Sequence, residues 1–161
     1  MAHQHPNNHP VPPQAHAQVH AQGAPARPPD APRLAGEARL LVFVHHSVPD
    51  APMQEPYGDN RRLAALGRRW LKAAYVAAVA EKRRDLAGGA LQGYVDNTFA
   101  GFVDRWVTVY GWRQQLYGTP AGADLNAPQE TLLIFETYAG AVVAQKDLGH
   151  QALMEWIASL V

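Results

Sequence analysis

The sequence contains no cysteine. This absence excludes disulfide bridges, thiolate zinc sites and cysteine nucleophiles, and it suits a reducing compartment. Long apolar runs are also absent, since no stretch approaches the roughly 20 residues that a membrane-spanning helix needs. The start of the chain has no charged segment followed by an apolar one, which argues against a secretory signal. We therefore expect an intracellular protein with no membrane segment, and the choice between mitochondrion, cytoplasm and nucleus stays open.

An excess of charge of either sign is missing as well. Lys and Arg together number 14, and so do Asp and Glu, which gives a formal net charge of +0. Strong polybasic character is therefore not indicated, and a protein-interaction module without nucleic acid stays open. The length of 161 residues and the hydrophobic fraction of 47% suffice for one domain with a sizeable core.

Residues 1–32 differ in composition from the rest of the chain. They hold eight of the 13 prolines and are rich in His, Gln and Ala, with almost no large apolar residue. The sequence therefore predicts a disordered tail over 1–32 and a single domain over 33–161. The tail histidines are irregularly spaced among prolines that block a helix, so polar low complexity is favoured over a metal-binding tract. These histidines are His3, His5, His9, His16 and His20.

Beyond residue 33, apolar residues follow the 3.6-residue period of helices. The sequence predicts helices over 60–81, 91–110, 130–144 and 151–161, with Gly-rich and Pro-rich breaks at 88–89 and 118–128. A short apolar run at 40–44 cannot be assigned from its period alone. No alternating pattern typical of strands competes, so the predicted fold class is all-α.

Two arginines and one alanine share one face of the first long helix. Arg61, Ala64 and Arg68 are spaced i, i+3 and i+7, which places them on one face of the helix. Carboxylates at these positions would bind Mg²⁺ and support phosphodiester cleavage. Two guanidinium groups instead repel Mg²⁺ and stay protonated at any working pH. This face therefore predicts that no metal and no cofactor bind there.

The segment 60–68, Asn-Arg-Arg-Leu-Ala-Ala-Leu-Gly-Arg, resembles the motif N-E-x-L-E-F-L-G-D of ribonuclease III domains. Further segments follow in the family's order: 44–47 resembles its T-H-x-S element, 94–100 its L-V-x-N-x-x-L-A element, 134–141 its second acidic motif, and 149–157 its closing helix. The match covers roughly residues 38–160 and implies a ribonuclease III-like helical domain. Gly67-Arg68-Arg69 is also similar to degenerate ribonuclease III-like proteins of fungal mitochondrial ribosomes.

The resemblance implies a degenerate active site with no catalytic residue. The family's five metal-associated positions fall on Arg61, Ala64, Arg68, Leu133 and Glu136, of which only Glu136 is acidic. One carboxylate cannot hold a hydrated Mg²⁺ tightly, so the resemblance argues against enzymatic activity without deciding the question.

Partners are implied by the same resemblance. Ala65 stands where the family has a bulky residue that plugs a cavity in the partner subunit. The resemblance therefore implies a weakened homodimer, or a heterodimer with another ribonuclease III-like subunit.

A cluster of cations on the first long helix predicts contact with RNA phosphates. A solvated helix face is the structural alternative. The cluster consists of Arg61, Arg62, Arg68, Arg69 and Lys72.

A group of aromatic residues could stack on RNA bases, but packing around a helix end is the favoured interpretation. This group consists of Trp106, Tyr110, Trp112 and Tyr117. His45 and Ser47 match a structural element of the family and are not interpreted as a catalytic pair.

These observations predict a catalytically deficient ribonuclease III-like domain that acts in RNA binding or RNA–protein scaffolding. Two alternatives stay open: a structural component of the mitochondrial large ribosomal subunit, and a double-stranded RNA endoribonuclease in RNA processing that a partner subunit completes.

We also expect Arg68, or failing that Arg61, to pair with Glu136 through two parallel hydrogen bonds, because a buried unpaired carboxylate is costly. Removing either partner of that pair should destabilise the fold.

Overall fold

The structure, a computed structural model, describes residues 27–48 and 56–161. Within these ranges the chain forms five α-helices, a short 3₁₀ turn at Arg113–Gln115, and one isolated β-bridge between Val44 and Tyr117. The helices are α1 (Gly36–Val42), α2 (Asn60–Lys82), α3 (Gly89–Val109), α4 (Pro128–Ala144) and α5 (Gly149–Leu160). The predicted all-α fold class is confirmed for this part of the chain. None of its helices combines the length and apolarity that crossing a membrane requires.

The long helices begin and end within two residues of their predicted bounds, for local reasons. The carboxylate of Asp59 accepts a hydrogen bond of 2.7 Å from the backbone N–H of Arg62 and so caps the start of α2. Pro128 opens α4, where its missing N–H is no loss. Gly88 has a φ of 52°, a conformation that favours glycine, and it separates α2 from α3. The unassigned run at 40–44 contributes the end of α1.

Helix α4 is the centre of the fold, and α2 packs closely across it. Gly67 of α2 and Gly140 of α4 lie at the crossing. A Cβ atom on Gly67 would overlap the backbone carbonyl of Glu136, and one on Gly140 would overlap the carbonyl of Leu63. Because only hydrogen fits at both positions, the two backbones approach each other directly. This crossing fixes how the faces of α2 and α4 meet.

The aromatic side chains form a packed cluster between α3, α4 and α5. Trp112 stacks on Tyr138 with ring centroids 4.1 Å apart, and it also packs against Phe135 and Trp156. Burial of Trp106 and Trp112, with Tyr110 partly buried beside them, confirms packing as the role of these three predicted residues.

Tyr117 departs from that prediction, since it is 78% exposed. Its backbone explains why. The N–H of Tyr117 donates to the carbonyl of Phe43 at 2.6 Å, and its carbonyl accepts from the N–H of His45 at 2.8 Å. These two hydrogen bonds fix the backbone beside the segment that follows α1, and the ring stands in solvent.

A proline-rich segment before α1 packs on the domain. The hydroxyl of Tyr110 donates to the carbonyl of Pro29 at 2.7 Å, and the hydroxyl of Tyr138 donates to the carbonyl of Pro32 at 2.6 Å. The sequence placed residues 27–32 in the tail, whereas these contacts place Pro29 and Pro32 against the domain. Composition gave no sign of this, because the proline carbonyls are bound by phenols distant in sequence. The rest of the predicted tail, including its histidines, lies outside the described residues.

Candidate functional site

A pocket of about 310 Å³ lies between α2, the start of α4 and the segment that follows α1. Four of the five positions that the ribonuclease III resemblance singles out line this pocket: Arg61, Ala64, Arg68 and Leu133. The fifth, Glu136, contacts Arg68. The i, i+3, i+7 spacing on α2 and the crossing with α4 therefore bring all five positions together.

The ion pair expected between Arg68 and Glu136 is present, with a different geometry. Arg68 Nε lies 3.2 Å from both carboxylate oxygens of Glu136, so one N–H is shared between two acceptors. Two parallel hydrogen bonds were expected. The Glu136 side chain is 5% exposed and the Arg68 side chain 66% exposed. The carboxylate is thus buried in the protein, while most of its partner is in water.

Burial dominates the electrostatics of Glu136. It raises the pKa of the carboxyl group above the ordinary value of 4.5, and the hydrogen bond and charge of Arg68 lower that pKa only in part. The ionised form is therefore less stable in the folded protein than in water. With Arg68 occupying its oxygens, Glu136 offers little to a hydrated Mg²⁺.

The predicted RNA-contacting residues form two rows on α2. Arg61, Arg68 and Lys72 fall in one row, while Arg62 and Arg69 lie roughly 80–100° around the helix axis from it. All five side chains belong to exposed residues. Lys72 pairs with Asp96 of α3 at 3.1 Å, in addition to the Arg68–Glu136 pair. Within the described residues, the other three arginines form no ion pair.

A second group of side chains lines the same pocket, and sequence reasoning missed it. His46 Nε2 lies 2.9 Å from Glu130 Oε1, and His45 Nε2 lies 3.5 Å from Glu130 Oε2 without hydrogen-bond geometry. One nitrogen or oxygen atom from each residue falls within 4.8 Å of the others, as in sites that hold a metal ion. The adjacent His45-His46 pair was the available signal. Its partner Glu130 is 84 residues from His46 in sequence, beyond any local motif.

His45 is held tightly in place. Its Nδ1 atom accepts a hydrogen bond of 3.2 Å from the backbone N–H of Ser47 and lies 2.7 Å from the Ser47 hydroxyl. Burial, followed by the charge of His46, lowers the pKa of the His45 ring, and Glu130 raises it to a smaller extent. The side-chain amide of Asn60 donates to the carbonyl of Val44 at 3.1 Å, which ties this segment to the start of α2. These contacts fit the structural role assigned to the segment from the sequence.

The pocket therefore combines two chemistries. The guanidinium groups on α2 can bind phosphate or carboxylate oxygens through paired N–H groups. The imidazoles and the carboxylate that line the same pocket can exchange protons or hold a cation. In comparisons with known proteins, no protein-family model matches the chain and no curated protein matches it.

Proposed function

We propose that this protein is a ribonuclease III-like domain that binds RNA, alone or as an RNA–protein scaffold, and does not cleave it with the family's metal ions. One observation carries the proposal. Arg61 and Arg68 line the pocket at positions where the resemblance expects carboxylates, and Arg68 occupies the remaining acid, Glu136. The same substitutions that oppose Mg²⁺ create a surface for phosphate.

The charges at the five positions oppose metal-dependent cleavage. Cleavage through two Mg²⁺ ions requires several carboxylates that converge on the ions. Of the five positions, Ala64 and Leu133 have no donor atoms in their side chains and two are arginines. Because Glu136 is buried and bound to Arg68, it cannot replace the missing acids.

Local positive charge and one exposed aromatic ring favour RNA as the ligand. Arg61, Arg62 and Arg69 are exposed on α2, and arginine binds phosphate oxygens with matched geometry. Tyr117 exposes its ring next to Leu116, which lines the pocket, and exposed aromatic rings can stack on bases. Since the formal net charge of the chain is +0, binding must depend on this surface.

The proposal is tested by measuring RNA binding as a function of salt. Fluorescence anisotropy with labelled duplex and hairpin RNA, in EDTA, gives the affinity of the full chain and its salt slope. Changing Arg61, Arg62 and Arg69 together to Gln should weaken binding to all RNA sequences and reduce the salt slope by about 3, since each lost phosphate contact removes about one unit. Each arginine that binds a phosphate releases counterions from the RNA, and this release makes the affinity depend on salt.

A matched control removes the same charge elsewhere. Arg84, Arg105 and Lys146 are exposed cations outside the pocket surface, and their combined change to Gln should leave the salt slope unchanged. Equal losses in both variants, or no binding by the unmodified chain, would contradict the RNA proposal. Duplex cleavage with Mg²⁺ that disappears in Glu136→Gln would contradict the non-hydrolytic part alone.

A further inference from the structure

The strongest feature not used by the proposed function is the cluster of two imidazoles and one carboxylate in the pocket wall. We propose that His45, His46 and Glu130 form a binding site for one divalent transition-metal ion, with Zn²⁺ as the preferred ion. The site differs from the five metal-associated positions that the ribonuclease III resemblance implies. Its ligands include none of the α2 arginines on which the RNA proposal rests.

The distances between the candidate ligand atoms suit a small ion. Zn²⁺ with bonds of about 2.1 Å in tetrahedral geometry requires ligand atoms roughly 3.4 Å apart. His46 Nε2 and His45 Nε2 lie 2.9 and 3.5 Å from the two Glu130 oxygens. Three atoms, one from each residue, already fall within 4.8 Å of one another. Small side-chain adjustments therefore suffice to place all three around one ion.

His45 supplies an independent sign that a ligand belongs here. The residue is only 4% exposed, and its Nε2 atom has no hydrogen-bond partner among the described residues although it faces Glu130. Buried polar nitrogens are rarely left unpaired, and such exceptions call for an explanation. A metal ion between His45 and Glu130 would satisfy this nitrogen and also neutralise part of the carboxylate charge.

The surroundings orient the ligands as metal sites require. A histidine that binds a metal through one nitrogen usually donates the other N–H to a nearby acceptor, which fixes the ring. The Ser47 backbone N–H donates to His45 Nδ1 at 3.2 Å and the Ser47 hydroxyl lies 2.7 Å from the same atom, so two contacts hold the ring. When Nε2 binds a metal the ring proton moves to Nδ1, where the hydroxyl oxygen is placed to accept it. The backbone N–H of His45 donates to the carbonyl of Tyr117 at 2.8 Å, so the main chain under the ligand is also fixed.

The ligand set selects the kind of metal. Two imidazole nitrogens and one carboxylate suit Zn²⁺ and related transition metals, whereas Mg²⁺ prefers oxygen ligands and its own water. Three protein ligands leave a position for water on the pocket side. Arg61 and Arg68 line the same pocket, and their charge favours an anionic oxygen, and disfavours a second cation, at that position.

The test is a zinc titration of the full chain by calorimetry. The five histidines in residues 1–26 are first changed to Asn in every protein compared, so that they cannot bind the added metal. We expect one Zn²⁺ per chain and much weaker binding of Mg²⁺. His46→Asn and Glu130→Gln should each lower zinc affinity by at least about 100-fold, since loss of even an outer partner lowers metal affinity by about 10–100-fold.

Two matched controls lie outside the cluster. His150, which stacks on Trp70, and Glu155, an exposed carboxylate of α5, can be changed to Asn and Gln. Both variants should bind zinc like the parent. Melting curves in EDTA check that every variant is folded, and Zn²⁺ should raise the melting temperature of the parent and the controls only.

Cobalt provides a readout of geometry in the parent, without mutating a ligand. Co²⁺ in a four-coordinate site of nitrogen and oxygen ligands absorbs visible light much more strongly than hydrated Co²⁺, so binding should colour the protein until Zn²⁺ displaces it. Absence of stoichiometric zinc binding in the parent would overturn the proposal. Zinc affinity that is unchanged in folded His46→Asn and Glu130→Gln proteins would overturn it as well.

Discussion

At the residue scale, the Arg68–Glu136 pair is asymmetric. The carboxylate is buried and the guanidinium is mostly solvated, so the two partners lose different amounts of hydration when the protein folds. Removing the arginine leaves a buried charge without its partner, whereas removing the charge leaves an arginine that water can solvate. The asymmetry replaces the sequence-based expectation that removal of either partner destabilises the fold.

Replacing Glu136 by Gln should leave the free energy of unfolding near pH 7 unchanged or raise it by up to about 1 kcal/mol, since the variant no longer buries a charge. The comparison should depend on pH. Because the folded pKa of Glu136 is raised, wild type gains stability relative to the variant as pH falls through that pKa towards the ordinary value of 4.5. Urea unfolding at a series of pH values measures this difference, and a pH-independent difference would contradict the assigned burial.

Replacing Arg68 by Met should destabilise the protein by about 1–3 kcal/mol near neutral pH, because the buried Glu136 carboxylate loses its charged hydrogen-bond donor. The loss should shrink in acid, where the carboxyl group becomes protonated. Arg69→Met is the matched control, since Arg69 is exposed and has no ion pair within the described ranges; its effect should stay within about 0.5 kcal/mol. Equal effects of the two substitutions on urea midpoints would refute the assignment.

At the element scale, the crossing of α2 and α4 places the pocket residues. Gly67 and Gly140 let the two backbones touch, and this contact brings Arg68 of α2 to Glu136 of α4. Any side chain at the crossing would push the helices apart. The geometry of the pocket therefore depends on two residues that have no side chain.

Replacing Gly140 by Ala should destabilise the protein by about 3 kcal/mol or more, which is the upper end for overpacking a core. The reason is that the added methyl group overlaps the backbone carbonyl of Leu63, which cannot rotate away. Gly101→Ala in α3 is the matched control. A Cβ atom there meets nothing within 4 Å, so the change should stabilise α3 by about 0.5–1 kcal/mol. Urea midpoints of the two variants that shift in the same direction would contradict the proposed packing.

Local patterns predicted most of the elements. The 3.6-residue period located α2, α3 and α5 because each of them has apolar residues on its buried side. Helix α4 is buried on all sides over 134–142, so its apolar composition after the Pro-rich break located it. Helix α1 is seven residues long, too short for a period to emerge. The contacts of Pro29 and Pro32 with two tyrosines join residues far apart along the chain, so composition could not reveal them.

At the scale of the whole molecule, the sequence predicted one part of the candidate site and missed another part, whose residues are far apart along the chain. The resemblance predicted the five positions around Arg68 because they belong to two motifs whose order along the chain matches that of the family. The cluster of His45, His46 and Glu130 has no such order, and it exists only because the segment after α1 lies against the start of α4. Only the folded chain brings these three residues together.

Self-association is the property to measure at this scale. Ala65 is an exposed residue that lines the pocket, at the position where the resemblance expects a bulky plug. Since truncating a bulky buried side chain to Ala typically costs about 2–5 kcal/mol, we expect no tight homodimer. Sedimentation velocity of the full chain should show the 17.6 kDa species at low micromolar concentration. A stable homodimer with Ala65 protected in the interface would contradict this expectation.

The aromatic cluster has an optical consequence. Trp106, Trp112 and Trp156 are each about 5% exposed or less and pack with tyrosines, so their emission should be blue-shifted and their near-ultraviolet dichroism strong until the core opens. The fourth tryptophan, Trp70, is only partly buried and stacks on His150 at 5.1 Å. Iodide should therefore quench the fluorescence of Trp70 selectively and leave that of the three core indoles unchanged. Because Trp70 lies beside the arginines of α2, its fluorescence should report binding on that helix without an added label.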